Sequence, residues 1–263
     1  MSPDAPPTLL AQISDSHIDV SDGSGDALAA AVAAVSRLDP QPAAVLCTGD
    51  LTNNGTPEEY ALARELLAPL RAPLHPIPGN HDDRDAMRAA FADHPGVAGT
   101  GEYIQYSAGC GPLRVIACDT QKPNSDGGEL PAERLEWIEA ELAREPGRPT
   151  IVAMHHPPIL TGMSEFDEEI GLAPEERRAL ADAIARAGGA DLIVTGHIHL
   201  AIRGSLGPTP VQICPSTYLQ AKLDFRPGAP IKLIPETPAF AVHVCGADSR
   251  VISHVRTIES PAR

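Results

Sequence analysis

Aromatic residues are scarce: Phe, Tyr and Trp make up 3% of the 263 residues, with a single Trp. That gives little support for a dedicated base clamp, and Trp137 is expected in the core. Basic charge is short as well. Lys and Arg number 20 against 35 Asp and Glu, for a formal net charge of −15. A long contact with a nucleic-acid backbone needs a basic surface, so extended nucleic acid is not an expected partner. A small phosphorylated ligand stays possible, because bound metal ions can dominate the local field. Cysteine is sparse and unpatterned. Cys47, Cys110, Cys118, Cys214 and Cys245 form no C-x-x-C pair and no disulfide-like rhythm. Most lie in or beside apolar runs, so buried reduced thiols are expected. No run of about 18 apolar residues exists, so no membrane span is expected. The Pro-rich start, residues 1–8, has no basic segment followed by an apolar core. A soluble cytoplasmic protein is the expectation. What is present is a hydrophobic content of 43%, enough for one large α/β domain over 1–263.

Short apolar runs alternate with helical patterns over the first 200 residues. Strands are expected at 9–13, 45–48, 74–78, 150–154 and 191–195. A helix with Leu28, Val32 and Val35 at i, i+4 and i+7 follows the first strand. Thr56-Pro57-Glu58-Glu59 marks a helix start: Thr56 can cap, Pro57 suits the first helical position, and Glu59 completes a capping box. That helix should run to about Leu70. Others are expected over 85–91, from Pro131 with Leu135, Ile138 and Leu142 on one face, and over 174–187, closed by Gly188-Gly189. A strand pair, 102–107 with 113–118, is expected around Gly109-Cys110-Gly111-Pro112. Beyond residue 200 the helices stop. Residues 211–214, 239–245 and 251–255 read as strands, and 259–263 should fray.

Five strands end in polar clusters: Ser14-Asp15-Ser16-His17, Gly49-Asp50, Gly79-Asn80-His81-Asp82, His155-His156-Pro157-Pro158 and Gly196-His197-Ile198-His199. Alternating strands and helices imply a largely parallel sheet. In such a sheet the C-terminal strand ends share one edge, where ligands bind. Fragments far apart in sequence can therefore converge. Imidazole nitrogen with carboxylate and amide oxygen suits hard-to-borderline divalent metals. Asp15 and His17 stand two apart, as do His197 and His199, so in an extended segment each pair faces one way. One such fragment alone is a surface turn; five at strand ends, in this order, point to a metal centre.

Together these motifs resemble the full motif set of the calcineurin-like metallophosphoesterases. Asn80-His81-Asp82-Asp83-Arg84 and the His-His-Pro-Pro run are similar to the branch holding bacterial class III cyclic nucleotide phosphodiesterases and related glycerophosphodiesterases. The likeness spans roughly residues 9–220. It implies a four-layer αββα fold, two packed mixed sheets with helices outside. The C-terminal strands, 205–258, are expected to complete the second sheet and cap the site. The resemblance also implies two divalent ions, drawn from Fe, Mn, Zn or Co. One would be held by Asp15, His17, Asp50 and His199, the other by Asp50, Asn80, His155 and His197. His81 would donate a proton to the leaving alkoxide or stabilise the charged transition state. Asp82 would orient His81 or sit in an ordinary surface turn, and His156 would stand behind the ligands.

The implied activity is metal-dependent hydrolysis of a small phosphodiester. A 3′,5′-cyclic nucleotide such as cyclic AMP comes first, with glycerophosphodiesters or phosphomonoesters as alternatives. A non-enzymatic scaffold on this fold would have lost ligands, and all seven are here. A nuclease with the same core is disfavoured by the acidic charge. Substrate walls are expected from 21–25, the acidic loop 159–172 and the segment 216–238. There Tyr218 and Phe225 could stack on a base or pack against the C-terminal strands. The acidic loop reads as a lid or as solvated surface. The C-terminal strands could also support a homodimer.

Overall fold

Strand and helix alternate as expected, and the central strands are buried on both faces, one against the other sheet and one under helices. The computed structural model describes residues 6–259 apart from positions 100, 247 and 249. The expectations for residues 1–5 and for fraying over 260–263 lie outside the described residues. The elements in chain order are β1 (Thr8–Ile13), α1 (Ser24–Ser36), β2 (Ala44–Thr48), α2 (Pro57–Leu67), β3 (Leu74–Ile77), α3 (Arg84–Ala90), α4 (Pro95–Ala98), β4 (Tyr106–Cys110) and β5 (Leu113–Ala117). Then come α5 (Ala132–Arg144), β6 (Thr150–Ala153), α6 (Pro174–Arg186), β7 (Leu192–Thr195), β8 (Ile202–Leu206), β9 (Thr209–Ile213), β10 (Gln220–Ala221), β11 (Leu233–Ile234), β12 (Ala239–Cys245) and β13 (Val251–Thr257).

One sheet has the order β13-β12-β1-β2-β3, the other β4-β5-β6-β7-β9-β8. The centre of each is parallel: β1 with β2 and β3, and β5 with β6, β7 and β9. Side chains of the second sheet divide strictly by parity. Leu113, Val115, Ala117, Ile151, Ala153, Leu192 and Val194 share one core with Leu10 and Leu46 of the first sheet. Their neighbours Ile116, Val152 and Ile193 instead meet Ile138 and Leu142 of α5 and Leu180 and Ile184 of α6. Successive strand residues face opposite ways, so one face of this sheet packs on the other sheet and one lies under helices. α1 and α2 bury Leu28, Val32, Tyr60 and Ala63 against the first sheet. The result is helix, sheet, sheet, helix. α2 begins as its sequence requires: Thr56 Oγ1 accepts from the Glu59 amide at 3.3 Å, and Glu59 Oε2 accepts from the Thr56 amide at 3.2 Å.

The C-terminal strands do not all complete the second sheet. β8 and β9 join it, but β12 pairs antiparallel with β1, and β13 with β12, in the first sheet. The cause is the free edge of β1, which has β2 on one side only; β12 covers it, with Phe240 and Val242 in the core on the α1 side and His243 turned toward the second sheet, bonded to Gln12 at 2.8 Å. Reaching that edge takes the chain across the C-terminal strand ends through residues 214–238, which hold only the two-residue ladder of β10 and β11. The β4–β5 hairpin is tighter than expected, with 102–105 outside it. All five cysteines are buried and free. Among the described residues no helix is long and apolar enough to cross a membrane.

Candidate metal centre

Parallel strands deliver their ends to one place, and short loops then turn the side chains inward. The loop after β1 runs beside the loop after β2: the amides of Asp15, His17 and Ile18 donate to the carbonyls of Gly49, Asp50 and Leu51 at 3.1, 2.9 and 3.0 Å. Asp15, His17, Asp50, His197 and His199 all have positive φ, between 43° and 72°. Among the described residues only Asn124 joins them outside glycine. Each such residue costs of order 1–3 kcal/mol, a strain that concentrates at functional sites. The expected extended geometry of the Asp-x-His and His-x-His pairs is therefore wrong. The side chains converge through left-handed turns, not through strand alternation. Gly49, at φ +91°, has no room for a Cβ, which would overlap His155 and the Gly79 amide. A Cβ on Gly79 would strike the Asp50 carboxylate. The glycines before Asp50 and Asn80 are thus set by close approach.

The donor atoms form a continuous buried cluster. His17 Nε2 lies 3.0 Å from His199 Nε2, His155 Nε2 lies 3.2 Å from His197 Nδ1, and Asn80 Oδ1 lies 3.0 Å from His155 Nε2. Asp50 Oδ2 is 3.5 Å from His17 Nε2 and 3.3 Å from His155 Nε2, so it touches both groups. Asp15 Oδ1 is 3.7 Å from His199 Nε2, and its carboxylate accepts the His197 amide. Backbone carbonyls orient three rings. His155 Nδ1 donates to Thr48 O at 2.8 Å, His199 Nδ1 to Leu219 O at 2.7 Å, and His197 Nε2 to Ile170 O at 3.1 Å. In the neutral ring the opposite nitrogen then carries a lone pair aimed at the centre. Lone pairs of several imidazoles and two carboxylates cannot satisfy one another; a divalent cation satisfies them all. Ligand atoms of Asp15, His17 and His199 lie within 4.8 Å of one another, as do those of Asp15, Asp50 and His155. The residues present fit a metal.

Burial and charge compete here. Burial drives the His17 imidazole down to about 3. Burial also works against a charge on His155, but the Asp50 carboxylate outweighs it and holds the ring up at about 9. Burial pushes Asp15 above the usual carboxylate range. For Asp50 it is overcome by His155, which keeps the group well below that range.

His81 is exposed beside this cluster, its ring 4.6 Å edge-on from that of His17. Its amide donates to Asp50 Oδ1 at 2.9 Å, and its Nδ1 donates to Asn53 O at 2.8 Å. Nε2 has no bond among the described residues, so it is available to a ligand. Asp82 does not orient His81. Its carboxylate accepts from the amides of Leu51, Thr52 and Gly79 and from the hydroxyls of Thr52 and Tyr60, at 2.8–3.2 Å. It therefore ties the Asp50 loop to the Asn80 turn. His156 packs 4.5 Å from the His197 ring and forms a possible ligand group with His155 and His197. Both its nitrogens are already engaged, by Thr120 Oγ1 at 2.8 Å and Asp126 O at 3.1 Å. It supports the centre without facing it.

The acidic loop is neither a free lid nor solvated surface. Met163 and Phe166 are buried with Ile198, Ile213 and Ala221, and Ile170 O holds His197. Asp167 turns inward, accepting from the Thr161 amide and hydroxyl and the Gly162 amide. Tyr218 donates to Asp22 at 3.2 Å, and Phe225 is 60% exposed. The carbonyls of Thr48, Ile170 and Leu219 escape sequence reading, because any residue type carries one.

Residues 8–201 match the model of the calcineurin-like phosphoesterase family. The chain is 31% identical to a 3′,5′-cyclic adenosine monophosphate phosphodiesterase of Pseudomonas aeruginosa, over 84% of this chain and 79% of that one. It is 28% identical to a probable glycerophosphodiester phosphodiesterase of Arcobacter nitrofigilis, over 95% of this chain and 93% of that one. Among solved structures, purple acid phosphatase from yellow lupin seeds shares the fold with a TM-score of 0.67 at 16% identity, over 98% of this chain and 52% of that one. With the motif glycines, the buried donor cluster and this match in agreement, the chain belongs to the calcineurin-like phosphoesterase family.

Proposed function

We propose that the protein hydrolyses small phosphodiesters with two divalent ions, and that a 3′,5′-cyclic nucleotide, cyclic AMP first, is its substrate. Asp15, His17, Asp50 and His199 hold one ion in this reading; Asp50, Asn80, His155 and His197 hold the other. The observation that carries it is Asp50 Oδ2, which lies within 3.5 Å of His17 Nε2 on one side and His155 Nε2 on the other. When bound, such ions supply Lewis acidity at the phosphoryl group and activate water at neutral pH. The chain's own residues do the rest. The Asp50 loop and the Asn80 turn fix the ligand atoms before substrate arrives, so little reorganisation is left for the reaction. As the imidazolium, His81 keeps Nδ1–H on Asn53 O, delivers the Nε2 proton to the leaving oxygen, and is left as the neutral Nδ1–H ring. Five buried free thiols support a reducing, cytoplasmic location.

A second reading, glycerophosphodiester hydrolysis, is favoured by one observation. The 740 Å³ cleft that opens beside Asn80 and His81 is lined by Asn54, Arg84, Gln121, Lys122 and Asn124, with no Phe, Tyr or Trp. Amides and charges suit a polyol better than a stacked base. The test is a panel with defined Mn, Fe, Co and Zn loading: bis(p-nitrophenyl) phosphate, then 3′,5′-cyclic AMP against glycerophosphoethanolamine. Turnover of the nitrophenyl diester with at least one metal is expected. Its absence with all four rejects the phosphodiesterase reading, and preference for the glycerophosphodiester replaces cyclic AMP as substrate.

A further inference from the structure

The turn that carries Asn80 and His81 is held from two sides, and the second grip comes from the other sheet. Asp82 fixes the side facing β2. On the far side lies the segment following β5. Gln121 is buried there, and its Nε2 donates to the carbonyl of Gly79 at 3.0 Å and to the carbonyl of Asp82. Those two carbonyls bracket Asn80 and His81. Arg84 closes the frame: Nε meets Asp119 Oδ2 at 2.7 Å, and Nη2 meets Asp119 Oδ1 at 2.9 Å and the Gln121 carbonyl at 2.8 Å. Asp119 has no solvent exposure and accepts two further amides, from Ile104 at 3.0 Å and Gln121 at 2.9 Å. Arg134, 1% exposed, holds the carbonyls of Asp119, Gln121 and Glu129 at 3.1–3.3 Å. The gripping segment is therefore rigid in its own right.

We infer that Gln121, backed by the Arg84–Asp119 pair, is a positioning residue that sets where Asn80 and His81 stand for proton delivery to the leaving group. His81 is exposed, with the Asn53 carbonyl and the His17 ring beside its side chain, so its backbone largely sets where it stands. Asp82 alone would leave the turn anchored to one sheet, free to pivot away from the other. Gln121 spans the gap with one amide and two carbonyls, a geometry that no shorter side chain reproduces. The inference rests on the proton-donor reading of His81.

Metal-loaded Gln121→Glu and Gln121→Ala enzymes test it with two diesters. Glu keeps the size but sets a carboxylate against two carbonyls; Ala removes the donor and guards against a Glu variant that fails to fold. Bis(p-nitrophenyl) phosphate releases a phenolate that needs little protonation, whereas glycerophosphoethanolamine releases an alkoxide that needs it. On the alkyl diester kcat should fall about 100-fold, the scale of a misplaced reacting group. The nitrophenyl diester should lose far less. In a His81→Ala background, Gln121→Ala should add no further loss on the alkyl diester, because both act through one step. Equal losses on the two diesters, or a loss that adds to that of His81→Ala, would show that Gln121 only stabilises the fold and overturn the inference. Wild-type enzyme that cleaves neither diester removes the phosphodiesterase reading itself, before any variant is compared.

Discussion

The two halves of the centre are built on opposite principles. Around Asp15, His17 and His199 charge is plentiful; Leu219 O pins His199, and His17 is the loose ring. Two carboxylates, Asp15 and Asp50, face the site, while His17 has no bond to its Nδ1 among the described residues and keeps 9% of its surface exposed. Around Asn80, His155 and His197 the geometry is tight and charge is thin. Both rings there are pinned by carbonyls, His155 has no exposure, and Asn80 sits on the doubly held turn. Asp50 is the one carboxylate assigned to that half, with Asp15 close by. Magnitudes decide which matters more for an ion. Fixing a ligand through its outer hydrogen bond is worth roughly 10–100-fold in affinity. A full charge in place of an amide is worth several kcal/mol even at an effective dielectric of about 20. In the proposed two-ion reading, the half with more carboxylates should therefore hold its ion more tightly, and the half pinned by carbonyls should exchange it.

The most severe change erases the distinction. Asp50→Ala removes the carboxylate common to both halves, so both ions and all activity should be lost. Metal analysis after dialysis checks this, and a variant that retained two ions per chain would contradict the shared role. Next come two exchanges that reverse the asymmetry. Asp15→Asn should weaken the tighter ion, and Asn80→Asp should tighten the weaker one, each by at least about tenfold on the charge argument. Calorimetric titration of metal-free protein would show the two binding steps drawing together; unchanged steps would mean that geometry, not charge, ranks the halves. The smallest effect concerns the frame. Asp82→Asn swaps one acceptor oxygen for a donor amide among five donors, at a cost of roughly 1–3 kcal/mol for the bonds left unmade. Denaturant unfolding would register that loss, and the weaker ion alone should bind less well. Equal weakening of both ions would deny Asp82 its specific hold on the Asn80 turn.

Much of this site was open to sequence reasoning for a plain reason. Parallel strands bring their C-terminal ends to one edge, so five polar fragments at strand ends had to meet, and Asp15, Asp50, Asn80, His155 and His199 do. What stayed hidden depends on partners, not on residue type. The carbonyl that orients His155 belongs to Thr48, and no property of threonine marks it. Asp82 reads as a companion of His81 because the two are adjacent, yet a turn sends its carboxylate to Tyr60 and Thr52. β8 was missed because Arg203, Gly204 and Ser205 lie on an exposed edge and lack an apolar pattern. The apolar runs of β9 and β12 look alike; only the free edge of β1 assigns them to different sheets. Phe166 shows the same limit, since an acidic loop hides the one ring that anchors it.

The left-handed ligand residues carry a consequence for how such a chain can change over time. At Asp15, His17, Asp50, His197 and His199 glycine would relieve backbone strain of about 1–2 kcal/mol each, while deleting the side chain that binds. Selection for thermal robustness alone would therefore drift toward glycine at these positions and silence the enzyme while improving its fold. Histidine and aspartate at these positions therefore set metal ligation against backbone ease, a trade written in backbone torsions.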